Sequence, residues 1–402
     1  MPQVQRLLKS HPHWPAVEVI YHRLQAHGYK AFLAGGCVRD ALLGITANDL
    51  DVTTDATPDQ IEGLFEKTVN VGKVFGVMRV LIDGADIEVA TFRTDGTYKD
   101  GRRPEGVHFS SPEEDAKRRD FTVNALFYDL AAQKVLDFVQ GEADLRNAVL
   151  RTVGEAEKRF EEDHLRLLRA ARFVAQLDFV LEAETFEAIK VMAPLVKTVS
   201  GERLRDEMGK LLKAKAVSKG LEVMIATGLM ALLFSFRLRD NEWPGSYGAK
   251  EVWQTLALFF RNAKLEELES SVQLLKLSTK EQRGIEKAWA LWQKPEDFFA
   301  MNMGKKLQRL PEEGSHWALQ VLMLEGSIWT SQVKDLFKEW QLWQNQLPKP
   351  LLTGEDLKGK LVGKAIGACL AEAFEQQLER KLQTRDEALL WLQKYLESDS
   401  HG

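Results

Sequence analysis

Residues 35 to 51 read Gly-Gly-Cys-Val-Arg-Asp-Ala-Leu-Leu-Gly-Ile-Thr-Ala-Asn-Asp-Leu-Asp, a double glycine followed by two acids that bracket one leucine. Gly35 and Gly36 let the backbone approach an anion closely, because no Cβ stands in the way. The stretch Val38 to Leu43 has the helical character that aims first-turn amides at a phosphate. Asp49 and Asp51 lead into Val52-Thr53-Thr54, which reads as a strand, and positions two apart on a strand share a face. Both carboxylates then reach one point, where they repel one another unless cations lie between them. Mg²⁺ takes oxygen ligands of that kind, and a triphosphate beside two such metals implies nucleotidyl transfer. A third acid, Glu88, falls on a later strand in Asp86-Ile87-Glu88-Val89-Ala90, where alternation sets Glu88 and Ala90 on one face and Val89 on the other. Each element has a plainer reading when taken singly: Asn48-Asp49 is turn chemistry, and a strand glutamate most often faces solvent. Their combination at this spacing is stronger than any one of them.

Positioning these acids calls for a mixed head. Up to about residue 150, short β-rich runs alternate with helical ones. Val77 to Ile82 and Ile87 to Phe92 are broken by Asp83-Gly84 and Asp95-Gly96, and Asp-Gly between apolar strands predicts a hairpin. From about Gly154 onward the apolar period becomes helical. Glu157 to Leu177, Glu184 to Leu195, Glu202 to Lys213 and Lys219 to Leu232 each read as one amphipathic helix, with Ser200 as an N-cap for the third. Nine of the ten tryptophans lie beyond position 240, on no shared stripe, which predicts a second helical core. Pro348 and Pro350 punctuate the start of a last segment containing Thr353-Gly354-Glu355-Asp356-Leu357 and a helix ending near Glu397.

Two further groups carry chemistry. Within Glu162-Asp163-His164-Leu165-Arg166, Asp163 and Arg166 are three apart and so share a helix face. The plain reading is an intrahelical ion pair. In the other, Arg166 donates to ring acceptors of cytosine or adenine while Asp163 accepts from the exocyclic amine, a pattern that uracil and guanine do not match. Arg118-Arg119-Asp120 by itself is a salt-bridged surface turn. Between Arg93 and Val107, the glycines, acids and basic residues of Asp95-Gly96-Thr97-Tyr98-Lys99-Asp100-Gly101-Arg102-Arg103 are what a surface loop carries.

The composition bounds these readings. A chain of 402 residues holds more than one domain, and 45% hydrophobic with 28% charged residues is ordinary for a soluble protein. No run is long enough to cross a bilayer, and the first residues do not resemble a signal peptide. Cys37 and Cys369 suit a reduced cytoplasm. The net charge of −5 argues against a wholly basic nucleic-acid coat, so any RNA contact must come from local patches.

Leu33-Ala34-Gly35-Gly36-Cys37-Val38-Arg39-Asp40 and Asn48-Asp49-Leu50-Asp51-Val52-Thr53-Thr54 together resemble the first motif of class II tRNA nucleotidyltransferases, the bacterial CCA-adding and poly(A) polymerase family. Arg118-Arg119-Asp120-Phe121-Thr122-Val123-Asn124-Ala125 resembles the second, and Glu162-Asp163-His164-Leu165-Arg166 the base-selecting motif Glu-Asp-x-x-Arg. The likeness spans roughly residues 30 to 212, and more faintly 354 to 367.

The resemblance implies an α+β fold: a polymerase-β-like head (1–150) followed by an all-α neck (151–215), body (216–300) and tail (301–402). It implies Asp49 and Asp51 as ligands of Mg²⁺, with Glu88 as the third catalytic carboxylate. Gly35, Gly36 and Arg39 would position the triphosphate. Arg119 and Asp120 would contact the ribose, with Asn124 in the same motif, and Asp163 and Arg166 would read the base. Arg169, Arg172 and Phe173 continue the pattern and hold neck to head. The loop after Arg93 would take part in the change from CTP to ATP. Val71-Gly72-Lys73-Val74-Phe75-Gly76-Val77 departs from the more basic run of bacterial poly(A) polymerases. The implied activity is addition of CCA to tRNA from CTP and ATP in the cytoplasm, with no membrane partner, by a monomer or homodimer. A-only addition, polyadenylation and a non-catalytic RNA scaffold are the alternatives.

Overall fold

In the computed structural model, the described residues are 2–98, 101–102, 104–236, 238 and 245–399. The chain divides into two compact units, Met1–Trp243 with Glu269–Leu275, and Pro244–Leu268 with Lys276–Gly402.

The first unit is built on a seven-stranded sheet. In chain order its strands are β1 (Ala31–Ala34), β2 (Val52–Thr54), β3 (Thr68–Gly72), β4 (Val77–Ile82), β5 (Ala85–Thr91), then β8 (Leu126–Asp129) and β9 (Lys134–Asp137). Between them β6 (Arg93–Asp95) and β7 (Val107–Phe109) form a separate antiparallel ribbon. The order across the sheet is β3-β4-β5-β2-β1-β8-β9. Within this sheet β2 and β5 run parallel, pairing Val52 with Val89 and Thr53 with Ala90, and its other neighbouring strands are antiparallel. Asp83 and Gly84 both adopt positive φ, +48° and +79°, the backbone that a tight two-residue hairpin between β4 and β5 requires. Ala34, Phe92, Ala116, Ala125, Phe127 and Val153 form one apolar cluster against this sheet. Phe92 and Phe127 meet edge to face at 6.2 Å. Burying each ring contributes about 1.5–3 kcal/mol, which anchors the strand ends that carry the acids.

Helical periodicity over Glu157 to Leu177 does not give one helix. The helices are Ala156–Glu162 and Leu165–Leu177, and Asp163 between them is extended at φ −140°, ψ 105°. Its Oδ1 accepts from the Leu165 amide at 3.1 Å, a local side-chain bond that competes with helix continuation. The stretch from Lys219 to Leu232 is likewise split, into Val217–Ala226 and Leu229–Leu233, at Gly228 with φ +82°. Glu184 to Leu195 is α-helical only over Ala183–Met192, then tightens to a 3₁₀ turn that contains Pro194. Ser200 stands at the N-cap of Gly201–Leu212, but its side chain makes no capping bond.

The second unit is helical. Trp317 packs edge to face against Trp253 at 5.7 Å and Trp292 at 5.4 Å, an aromatic core; Trp243 lies outside the described residues. A separate cluster gathers Leu352, Leu357, Cys369, Ala373, Leu382 and Leu392, introduced by a Thr353–Asp356 capping box. Among the described residues, no helix is long and apolar enough to cross a membrane.

Candidate active site

A cavity of about 690 Å³ opens in the first unit, and every one of the singled-out site residues lines it. On its head side, β1 ends at Ala34 and the chain turns through Gly35, φ +75° and ψ −128°, into the helix Gly36–Leu42. A Cβ on Gly35 would come 3.0 Å from Arg119 Nη1, so both backbone and space demand glycine there.

Asp51 stands one residue and Asp49 three residues before β2, so neither is on the strand itself, and Leu50 is buried between them. Continuing the parallel β2·β5 register by one residue brings Asp51 beside Glu88. Burial, then the charges of Glu88 and Asp49, push the Asp51 carboxyl up to about 6, against the pull of Arg119. Burial raises Glu88 as well, opposed by Arg79, Arg119 and Arg93. This is a concentration of negative charge that the protein's own cations do not cancel. Among the described residues, no three His, Cys, Asp or Glu side chains are gathered tightly enough to cage a cation alone. Asp49 and Asp51 fit the partial carboxylate set that a hard divalent ion takes when phosphate and water supply its other oxygens.

Behind the acids runs an alternating lattice of arginines and carboxylates. Arg39, 4% exposed, donates from Nη1 to Asn124 Oδ1 at 2.6 Å and pairs with Asp40 at 2.7 Å. Arg119 donates to Asp115 Oδ2 from Nε and Nη2, at 3.2 and 3.0 Å, and to the Asn124 carbonyl from Nη1 at 3.2 Å. Asp115 also holds Arg118, at 2.9 and 2.6 Å. Burial works to raise the Asp115 carboxyl, but Arg119 and Arg118 together hold it below the usual range. Arg118-Arg119-Asp120 is thus part of an interior network, with Asp120 only 8% exposed.

On the other wall, Arg169 from helix Leu165–Leu177 donates to Asp120 Oδ2, while Asn124 Nδ2 donates to Asp120 Oδ1 at 3.1 Å. Arg172 pairs with Glu207 at 2.5 Å and lies 3.6 Å over the Phe173 ring. Asp163 and Arg166 do not pair with each other through their side chains. Asp163 Oδ2 accepts from Arg203 Nη2 at 2.7 Å. Arg166 donates from Nη1 to Glu162 Oε2 at 2.5 Å and from Nη2 to the Arg118 carbonyl at 3.1 Å. The helix break separates them, so one helix face does not present the pair; two differently anchored side chains border the same cavity.

The β6–β7 ribbon reaches this break. Tyr98 Oη donates to Asp95 Oδ2 at 2.7 Å, and the Gly101 carbonyl accepts from the His164 amide at 3.0 Å. Lys99, Asp100 and Arg103 of the loop lie outside the described residues.

Residues 31–151 match the Poly A polymerase head domain, and residues 178–237 match the probable RNA and SrmB-binding site of polymerase A. A CCA-adding enzyme of Geobacillus thermodenitrificans is 40% identical over 310 residues, covering 76% of this chain and 73% of that one. The chain belongs to the CCA-adding enzyme family of class II tRNA nucleotidyltransferases. A second CCA-adding enzyme, from Bacillus pumilus, is 46% identical over 242 residues; the match spans 60% of that relative's length. Of solved structures, the Bacillus stearothermophilus CCA-adding enzyme in complex with CTP superposes with a TM-score of 0.78 at 29% identity, over 97% of this chain and 99% of that one. The Thermotoga maritima CCA-adding enzyme complexed with tRNA shares the fold, with a TM-score of 0.63 at 20% identity.

As nucleotidyltransferases, CCA-adding enzymes use a divalent metal. In this member of the family, sequence reasoning passed over Asp115, Arg203 and Glu207, the anchors of Arg119, Asp163 and Arg172. Glu207 is 3% exposed within an otherwise amphipathic helix, and a charge at an apolar position was the available signal. Arg203 sits on the same helix with no pattern to mark it.

Proposed function

We propose that this chain adds C, C and A in turn to the 3′ end of tRNA, using CTP and ATP and releasing pyrophosphate. One observation carries the reading: the carboxylate group of Asp49, Asp51 and Glu88 and the base-reading candidates Asp163 and Arg166 border one cavity. Transfer chemistry and a choice between bases therefore share a site, with no nucleic-acid template required.

In this reading Gly35, Gly36 and Arg39 seat the triphosphate, and Arg119, Asp120 and Asn124 face the ribose. Asp120 serves that role while also accepting from Arg169. Asp49 and Asp51 hold Mg²⁺, which when bound lowers the pKa of the primer hydroxyl and offsets charge on the leaving pyrophosphate. Glu88 lies near that hydroxyl. Arg166 donates to the ring acceptors of cytosine or adenine, and Asp163 accepts from the amine. Arg203 and Glu162 keep those two side chains in place, while Arg169 and Arg172 brace the wall. Head, neck, body and tail follow the boundaries given above. The helical body and tail hold the tRNA by its backbone and shape, and the enzyme works in the cytoplasm as a monomer or homodimer.

The test is incubation of the pure protein with tRNA lacking its 3′ end, with each nucleotide singly and with CTP and ATP together, followed by sequencing of the product ends. Termini of CCA support the reading. Long A tails, or A added only to ends that already carry CC, overturn it in favour of polyadenylation or A-addition.

A further inference from the structure

Val69, Arg79 and Glu88 stand in one row across three neighbouring strands: Val69 pairs with Arg79 across β3·β4, and Arg79 with Glu88 across β4·β5. Val69 and Arg79 are exposed and Glu88 faces the cavity, and the β2·β5 register carries the row onward to Asp51. At about 4.8 Å per strand, the row runs roughly 14 Å from the acids to the sheet edge.

The outer end of this face is apolar and open. Val69 on β3, Val71 at the bulge where the β3·β4 register shifts between Asn70 and Gly72, and Val74 in the turn that follows are 42%, 50% and 78% exposed, a group of apolar side chains open to solvent at the sheet edge. The middle of the row is charged and fixed. Arg79 Nε donates to Asp86 Oδ1 at 2.7 Å, and Nη2 bonds Oδ2 of the same carboxylate. Held side-on through Nε and Nη2, the guanidinium keeps Nη1 for another acceptor, and the side chain is 47% exposed. A cation pre-oriented in this way suits a phosphate oxygen. It also supplies positive charge where Asp86, Glu88 and Asp51 would otherwise repel a polyanion.

We propose that the Val69–Arg79–Glu88 face is the seat of the RNA primer's 3′ end, with the terminal ribose beside Glu88, Arg79 Nη1 taking the last internucleotide phosphate, and Val69 and Val71 supporting the penultimate nucleoside. The inference rests on the nucleotidyl transfer proposed above, because a primer whose hydroxyl is to reach Glu88 and Asp51 must cross neighbouring sheet surface. The row leads from those acids across a phosphate-binding cation to an apolar shelf. Protein-strand addition at the β3 edge is the competing occupant.

The experiment measures steady-state kinetics of the full chain, varying tRNA that lacks its 3′ end and then varying CTP. Arg79→Ala is expected to raise KM for tRNA about tenfold, the size of one charge-assisted hydrogen bond, with KM for CTP unchanged. Arg79→Lys should recover part of the loss, and Val71→Glu should raise KM for tRNA by adding repulsion on the shelf. Unchanged primer KM in both Arg79→Ala and Val71→Glu overturns the inference while the transfer reading stands. A wild-type dimer that Val71→Glu dissociates without loss of primer use overturns it in favour of strand addition. Absence of any nucleotide incorporation by the wild-type protein sinks the transfer reading and the inference with it.

Discussion

Arg169 donates from both Nε and Nη2 to a single carboxylate oxygen of Asp120, at 2.9 and 2.5 Å. The bond ties the helix after the break to the motif that carries Arg119, so one contact holds opposite walls of the cavity. Asp120 is nearly excluded from solvent, and its charge survives there because the neighbours compensate it. Burial alone would raise its carboxyl, but Arg169, a bond from Asn124 and the charge of Arg166 together bring it down to about 2.

Acid should therefore weaken this wall. A folded-state pKa below the unfolded value of 3.8 adds stability that is complete above that value and lost as pH falls toward 2. The group should contribute about 2 kcal/mol at neutral pH. Arg169→Ala leaves a buried carboxylate without its main partner and should cost about 3–5 kcal/mol at pH 7. Urea unfolding at pH 7 and pH 3 checks both: the variant should lose less than the wild type between the two pH values.

Asp51→Asn should preserve the fold and abolish transfer, lowering kcat by at least about a thousandfold if it holds the metal. Chelation of divalent ions should silence the wild-type protein, and added Mg²⁺ should restore it. Product formation on tRNA, read beside circular dichroism, measures this; an active Asp51→Asn protein would refute the metal assignment.

Asp163→Ala should cost selectivity. Loss of one base-edge contact is worth about 1–3 kcal/mol, so the preference for CTP over UTP should fall roughly ten- to hundredfold. Arg203→Ala should give a smaller loss in the same direction, because Asp163 Oδ1 remains bonded to the Leu165 amide while Oδ2 is released. Competition between CTP and UTP on one tRNA reads both variants.

Gly101→Ala should disturb the loop without unfolding the head. Gly101 has φ +62°, and a Cβ there would lie 2.0 Å from His164 Cε1, on a ring already held by Thr198 at 2.6 Å. The loop must then leave the helix break beside Asp163. Addition of A should suffer more than addition of C, visible as products that stop at CC; an unchanged ratio of CC to CCA ends would rule out a role for this contact.

Much of the site was legible in the chain itself. Glycine at positive φ, acids two apart before a β-branched run, and Asp-Gly between apolar strands are local demands of backbone geometry, and local sequence carries them. The mixed head followed by helices was legible for the same reason, since hydrophobic period tracks element type. Periodicity failed at Glu157 to Leu177, where the apolar pattern runs unbroken through Asp163 but the side chain captures the Leu165 amide and ends the first helix. The partners of the site residues were likewise hidden. Arg203 with Asp163 and Glu207 with Arg172 join positions 40 and 35 residues apart, and nothing in local spacing announces them. Sequence alone determined which groups could do the chemistry, because their types and short-range spacing are written in adjacent residues. Tertiary structure decided which way each group is held and charged, because burial and the counter-ions that offset it come from segments that meet only when the chain has folded.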